Sequence, residues 1–381
     1  MKQTGGEIIV NALIEEGVPY ILGIPGHGVM GLFDAVRKAD QDGKIKYLQV
    51  KHEQAATSIA DGYYRMSGKP LASFSSIGPG TLNSCIGLAT AYVDSTAFLQ
   101  LCGDTHVNMK GVGVLQEIER YQDSNIIRAL EPLAKRSWRA ESVEQLPRML
   151  KRSFHMMTTG RPGPCAVMLP MDVQCTYHKV NPNQKVSVNV DSKPCADSKS
   201  IEQAIRLMKT AKRPVILAGG GALRAKAGEL IEKLAENWGA AIITTLAGKG
   251  TVSETHPQYG FHTGSKGTPV GIELCRKADV ILAVGTRFAD ETTCSYRKGV
   301  SFNFPDTKLI HIDMDANEIG KNYMADVGIN SDLNDALLKL IDAYGTDNTG
   351  RSCYLNEIAD LKVAWAAQLK EIRSVNTDKI T

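Results

Sequence analysis

Three short stretches decide how this chain folds: Gly23-Ile24-Pro25-Gly26-His27-Gly28, Lys51-His52-Glu53-Gln54-Ala55-Ala56 and Ser76-Ile77-Gly78-Pro79-Gly80-Thr81-Leu82-Asn83. Each follows a short apolar run, at residues 20–22, 47–50 and 71–74, and each leads into a helical pattern. Strands that end in small or turn-forming residues and alternate with helices imply a parallel sheet covered on both faces. The carboxyl ends of such strands build the crevice where these sheets bind ligands. Glu53 follows a buried-looking strand and starts a helix, whose positive end favours a carboxylate. Taken alone it reads as an ordinary helix-start glutamate; the flanking glycine turns overturn that reading.

Working outward, the alternation continues over most of the chain. Thr4-Gly5-Gly6-Glu7 reads as a capping box opening an amphipathic helix that ends near Gly17. Residues 53–66 place Ala56, Ile59, Ala60 and Tyr63 at helical spacing. Further strands are expected at 98–101 and 165–169. Residues 175–198 are polar, carry two prolines and have no helical period. The first domain is therefore set at 1–175 and an interdomain linker at 176–198. A second α/β block spans 199–345, with strands at 214–217, 241–245, 280–284 and 309–312. The expected fold class is α/β: two consecutive doubly wound, mostly parallel-sheet domains plus a C-terminal helix. That helix, at 354–372 within a connector of 346–381, either leads toward something further or docks on the second domain.

Composition narrows the classes. At about 150 residues per domain, 381 residues give two domains and a remainder. Lys and Arg number 44 against 41 Asp and Glu, a net charge of +3, and no basic stripe appears, which speaks against nucleic acid as a partner. No apolar run approaches the ~20 residues of a membrane helix. Acidic residues interrupt the N-terminal segment where a signal peptide needs an unbroken apolar core, so a cytoplasmic location is expected. The eight cysteines form no CxxC pair, so no zinc or other metal site is expected, and they read as reduced core cysteines.

The three turns, in this order, resemble the thiamin-diphosphate (ThDP) enzymes of the acetolactate synthase superfamily. Leu115-Gln116-Glu117 is similar to the family's Phe-Gln-Glu, and Gly160-Arg161-Pro162-Gly163-Pro164 with Leu169-Pro170-Met171-Asp172-Val173 to the strand ending its pyrimidine-binding domain. Pro214-Val215-Ile216 with Gly219-Gly220-Gly221, Thr244-Thr245-Leu246, Gly285-Thr286-Arg287-Phe288 and His311-Ile312-Asp313-Met314-Asp315 resemble its central domain. The resemblance implies ThDP as cofactor and gives Glu53 a role. A carboxylic acid bonded to the far nitrogen of the aminopyrimidine promotes the tautomer that makes the cofactor nucleophilic, and a dry crevice eases proton sharing. It further implies that Ile24, Pro25, Gly26, Gly78, Pro79, Gly80 and Asn83 line the cofactor site and that Gln116 faces the reaction chamber. His27 and His52 are candidates for proton transfer, or else hydrogen-bonded structural histidines. A nucleotide, FAD or ADP, in the central domain would involve Arg161, Gly219, Gly220, Gly221, Thr245, Leu246, His262, Gly285, Arg287 and Asp313. The glycine turn reads equally as strand-to-helix packing.

Departures from the family pattern matter as well. Leu115 stands for its Phe, Met171 for its Lys and Ile24 for an aromatic residue, so the pocket is more apolar and lacks a partner for a substrate carboxylate. Ala289 and Glu291 stand where the flavin-binding stretch has Asp and Arg, which argues against tight FAD binding. The family's third domain, with Gly-Asp-Gly followed downstream by Asn-Asn, clamps the diphosphate through Mg²⁺; here Gly103-Asp104 is the single Gly-Asp pair and no Asn-Asn follows. The expectation is one subunit of a split ThDP-dependent lyase or carboligase acting on a 2-oxo acid or α-hydroxy ketone. A separate chain would carry the diphosphate domain and its Mg²⁺, in a homodimer or hetero-tetramer, and this chain alone would be inactive. The alternatives are a ThDP-dependent C–C hydrolase of a cyclic diketone, a noncatalytic ligand-binding or scaffold protein, and a truncated piece of a longer single-chain enzyme.

Overall fold

The structure, a computed structural model, describes residues 2–122, 124–180 and 192–374. It divides into two compact units, Met1–Asp191 and Ser192–Thr381.

In the first unit β1 (Lys2–Thr4) enters α1 (Gly5–Glu15) through the expected capping box: Thr4 Oγ1 accepts the Glu7 amide at 3.2 Å and Glu7 Oε2 accepts the Thr4 amide at 2.9 Å. Next come β2 (Tyr20–Gly23), α2 (Met30–Gln41), β3 (Lys46–Gln49), α3 (Glu53–Ser67), β4 (Ala72–Ser75), the short α4 (Pro79–Asn83) and α5 (Cys85–Asp94). The unit continues with β5 (Leu99–Asp104), α6 (Ile127–Leu130), β6 (Arg136–Arg139), α7 (Leu146–Thr158), β7 (Cys165–Pro170), α8 (Met171–Cys175) and β8 (Tyr177–Lys179). Six parallel strands lie in the order β3-β2-β4-β5-β7-β6. The chain runs from β2 outward to β3, then returns to the other side of β2 with β4, so the order reverses between β2 and β4. At such a reversal the two connections diverge and leave a crevice beyond the strand ends.

Three expectations are corrected here. β3, the strand before Glu53, is an edge strand and only partly buried. Of the apolar set on α3, Ala56 and Ala60 are buried but Ile59 is 45% exposed, and Thr57 and Asp61 complete the buried face. The physical reason is close approach of α3 to α5, where a Cβ on Gly87 would stand 2.0 Å from Thr57 Oγ1. Finally, Tyr177–Lys179, assigned to the linker, pairs antiparallel with β1, and the Gly5 amide donates to Thr176 O at 3.1 Å. Residues 181–191 of the expected linker lie outside the described residues.

The second unit runs α9 (Ser198–Thr210), β9 (Pro214–Ala218), α10 (Gly220–Arg224), α11 (Gly228–Trp238), β10 (Ala241–Thr244), β11 (Tyr259–His262) and α12 (Pro269–Lys277). It is completed by β12 (Val280–Val284), α13 (Asp290–Thr293), β13 (Lys308–Asp313), β14 (Val327–Asn330), α14 (Leu333–Tyr344) and α15 (Ser352–Ser374). Its six strands are also parallel, in the order β11-β10-β9-β12-β13-β14, with the reversal between β9 and β12. Of the two readings of the terminal helix, its first half docks on this unit. Tyr354 and Ile358 are buried with Leu274, Cys275 and Phe302, the Tyr354 hydroxyl donates to Pro214 O at 3.1 Å, and the Arg213 guanidinium lies 5.2 Å from the Tyr354 ring centre. Lys362 Nζ then donates to His256 O at 2.9 Å and Pro257 O at 3.1 Å. Among the described residues no helix is long and apolar enough to cross a membrane. All eight cysteines are free; Cys102, Cys165 and Cys275 are buried, whereas Cys175, Cys195 and Cys353 are exposed, so the core reading holds for only part of the set.

Candidate active site

The reversal between β2 and β4 gathers the residues singled out in the first unit. Glu53 is the first residue of α3, half-buried. His52 caps that helix, its Nδ1 accepting the Gln54 amide at 3.2 Å, so the exposed His52 has a structural task there. Asn83, at the end of α4, donates Nδ2–H to Glu53 Oε2 at 2.9 Å. The other oxygen, Oε1, lies 3.1 Å from where a Cβ on Gly80 would stand. One carboxylate oxygen is thus fixed, and the flank of the other is kept open by a missing side chain.

The turn from β4 into α4 is shaped by Gly78, with φ +57°; a Cβ there would stand 2.0 Å from Gln116 O. The 78–80 turn and the Gln116 loop therefore meet backbone to backbone. Gln116 itself has φ +67°, a left-handed conformation that a residue with a side chain adopts at a cost of about 1–3 kcal/mol. Glu117 holds the loop in that shape. Its carboxylate accepts the amides of Gly111 at 2.7 Å, Gly113 at 2.9 Å and Val114 at 3.0 Å. Burial pulls the Glu117 carboxyl upward, but these N–H groups and the Ser124 hydroxyl outweigh it and hold it below the usual range.

Two further residues tie the turns together, and sequence reasoning did not single them out. Ser76 Oγ accepts the Gly28 amide at 3.2 Å and donates to Gln116 Oε1 at 3.3 Å. Gln174 is fully buried; its Oε1 accepts the Leu32 amide at 3.0 Å and its Nε2 donates to Gly28 O at 2.8 Å and Leu169 O at 2.7 Å. Ser76 stood inside a quoted motif, so its proximity was legible. Gln174 gave no signal, because its partners lie up to 146 residues away. Ile24, Pro25 and Gly26 are half-buried in the first turn and His27 is exposed. Leu115, beside Gln116, is 67% exposed.

In the second unit the nucleotide candidates Gly219, Gly220, Gly221, Thr245, Leu246, Gly285, Arg287 and Asp313 follow or end β9, β10, β12 and β13, around the second reversal. The glycine turn is occupied by packing. The Gly219 amide donates to Val284 O and the Gly221 amide to Gly285 O, both at 2.9 Å, and a Cβ on Gly219 would stand 2.2 Å from Gly285 O. Two of the amides a phosphate would need are already committed. Glu291 pairs with Lys266 at 3.0 Å, and Phe288 is buried against Phe302, Phe304, Tyr323 and His311. Burial pushes the Asp313 carboxyl up. His262 bonds Lys266 O through Nε2 at 2.9 Å. Arg161 belongs to the first unit, where its Nε donates to Ser95 Oγ at 2.7 Å and its NH2 to Val93 O at 3.2 Å. At the glycine turn the committed Gly219 and Gly221 amides favour the packing reading over a cradle for the FAD diphosphate.

A carboxylate fixed at the reversal of one parallel sheet, followed in the chain by a second doubly wound unit, defines a class of cofactor-dependent α/β enzymes. The chain belongs to the thiamine pyrophosphate enzymes: residues 3–124 match the family's N-terminal TPP binding domain and residues 201–340 its central domain. It is similar to a probable acetolactate synthase large subunit of Methanocaldococcus jannaschii, 35% identical over 364 residues that cover 94% of this chain and 59% of that protein. The acetolactate synthase of Arthrospira platensis is 35% identical over 88% of this chain and 57% of its own length. The isozyme 3 large subunit of acetolactate synthase from Escherichia coli is 31% identical over 97% of this chain and 62% of its own. The chain thus spans roughly three fifths of the length of these curated relatives.

Proposed function

We propose that this chain supplies the pyrimidine-side half of a ThDP site in an enzyme that makes or breaks a carbon–carbon bond next to a carbonyl. The observation that carries this reading is Glu53, with Oε2 held by Asn83 and Oε1 flanked by the gap at Gly80. An aminopyrimidine ring needs a carboxylate with one free oxygen and an open flank, and these residues fit it. When bound, ThDP supplies a stabilised carbanion equivalent for acyl transfer. Glu53 holds the shared proton at Oε1, Asn83 keeps the carboxyl from swinging away, and the 24–26 and 78–80 turns wall the crevice. Gln116 stands on its open side.

The relatives' names support a 2-oxo acid or an α-hydroxy ketone as donor, in decarboxylation with carboligation. Among the described residues no group of three or more His, Cys, Asp or Glu is placed to hold a metal ion. The two family domains matched by this chain are the N-terminal and central ones, and we assign the diphosphate and Mg²⁺ to a further domain, carried by a separate chain in a homodimeric or hetero-tetrameric assembly. The exposed apolar Leu115 beside Gln116, with Met171 in place of a lysine, favours a second reading, hydrolysis of a cyclic diketone.

The test combines the chain with a polypeptide carrying the diphosphate domain, ThDP and Mg²⁺. Glu53→Gln should lower turnover by about 10²–10⁴-fold, the usual loss for a positioned proton-transfer group. Full activity in that variant sinks the proposal. Robust acetolactate formation from pyruvate would favour the first reading over the second, and cleavage of cyclohexane-1,2-dione the second over the first.

A further inference from the structure

We propose that Ser76 is a positioning residue that sets which end of the Gln116 amide faces the crevice, so that the enzyme recognises its substrate through an accepting oxygen, a carboxylate or ketone oxygen. This rests on the ThDP reading of the crevice given above.

Ser76 is buried. Its Oγ already accepts the Gly28 amide at 3.2 Å, and a hydroxyl has a single hydrogen to give. That hydrogen goes to Gln116 Oε1, 3.3 Å away. Polarity therefore runs in one direction, from Gly28 N–H through Ser76 O–H to the Gln116 carbonyl, and each bond strengthens the next. Turning the amide around would leave the buried Ser76 hydrogen facing an NH₂ group, with no acceptor. The backbone removes the remaining freedom. Gln116 is held at φ +67° with its carbonyl against Gly78, and Glu117 clamps the loop that follows Gly111. With Oε1 committed, the exposed Gln116 side chain offers its two Nε2 hydrogens to the open side. Two fixed donors suit a carboxylate or ketone oxygen and reject a donor group, whereas a freely turning glutamine would accept either.

The test uses Ser76→Ala, Ser76→Thr and Glu53→Gln in the full 381-residue chain. Hydrogen exchange is read on the chain, and kinetics on its assembly with a diphosphate-domain polypeptide, ThDP and Mg²⁺, with pyruvate and cyclohexane-1,2-dione as probes. Loss of one hydrogen bond in Ser76→Ala should speed Gly28 amide exchange about tenfold and raise KM about tenfold while kcat changes less than about threefold. Ser76→Thr, which keeps the hydroxyl, should restore both. An unchanged KM in Ser76→Ala alongside an inactive Glu53→Gln overturns the role of Ser76 and leaves the ThDP reading standing. A loss confined to kcat, or faster Gly28 exchange in Ser76→Thr equal to that in Ser76→Ala, overturns it as well. A fully active Glu53→Gln removes the crevice assignment and the inference with it.

Discussion

Replacing Glu117 by Gln asks whether the loop carrying Gln116 is held in its strained shape from within. Glu117 Oε1 accepts the Gly111 amide, while Oε2 accepts those of Gly113 and Val114. An amide of the same shape has one accepting oxygen, so in either orientation its NH₂ group faces at least one N–H. One or two charge-assisted bonds are lost, each worth about 1.5–3 kcal/mol. The Gly113 bond is open to solvent and screened, which leaves about 2 kcal/mol, or roughly a 30-fold shift toward the open loop. Loops open locally at a fraction of the global stability, so the change should be confined to peptides spanning 105–120 in hydrogen-exchange mass spectrometry. The pH dependence has a definite sign. Glu117 titrates below its ordinary value of 4.5 in the folded chain, so its contribution is fully present above that value and is lost as pH falls through the lowered one. The gap between wild type and Glu117→Gln should therefore close in acid. Equal exchange in the two proteins at neutral pH, or a change spread over the whole first unit, would refute the clamp.

Four further outcomes are expected. Gly78→Ala puts a Cβ 2.0 Å from Gln116 O at φ +57° and should cost about 3 kcal/mol, read from the urea midpoint of the first unit. Tyr354→Ala removes the buried ring that docks α15 and should destabilise the second unit by about 3–5 kcal/mol, leaving the first unit's transition in place in calorimetry. FAD added to the chain should show no saturable change in flavin fluorescence, because the Gly219 and Gly221 amides are already bonded; a stoichiometric yellow complex would contradict this. Burial pushes the thiols of Cys102, Cys165 and Cys275 up to about 12, so iodoacetamide at mildly alkaline pH should label Cys175, Cys195 and Cys353 first, as peptide mapping would show.

The central strands were legible because burial on both faces writes them as apolar runs; β7, β9 and β12 are uninterrupted, while β4 and β5 alternate apolar residues with the buried Ser73, Ser75 and Gln100. The strands that escaped notice are edges. Arg136-Ser137-Trp138-Arg139 in β6 carries charge, and Tyr259-Gly260-Phe261-His262 in β11 and Val327-Gly328-Ile329-Asn330 in β14 carry a glycine, so none reads as an apolar run. At the site, glycine and proline turns announced the crevice. The contact between Glu53 and Asn83, on elements 30 residues apart, was implied by motif order alone. What stayed hidden was the hydrogen-bond wiring through Ser76, Glu117 and Gln174, since a polar residue's partner is set by the tertiary fold and not by its neighbours in sequence. The glycines at 219–221 show the converse: a motif with two readings, of which the backbone geometry favours packing.

Gln174 has a consequence for the order of events during synthesis. Its amide joins α8 to the turn after β2 and to the start of α2, across 142 and 146 residues of chain. A nascent chain that has produced the first turn, Glu53 and Asn83 still lacks the group that satisfies Leu32 N–H and Gly28 O. Until residue 174 has left the ribosome, those backbone groups must bond to water. The crevice therefore takes its final shape late, when almost the whole first unit has been translated, and an early fragment that contains every one of its first-unit motif residues would still be expected not to hold a ligand.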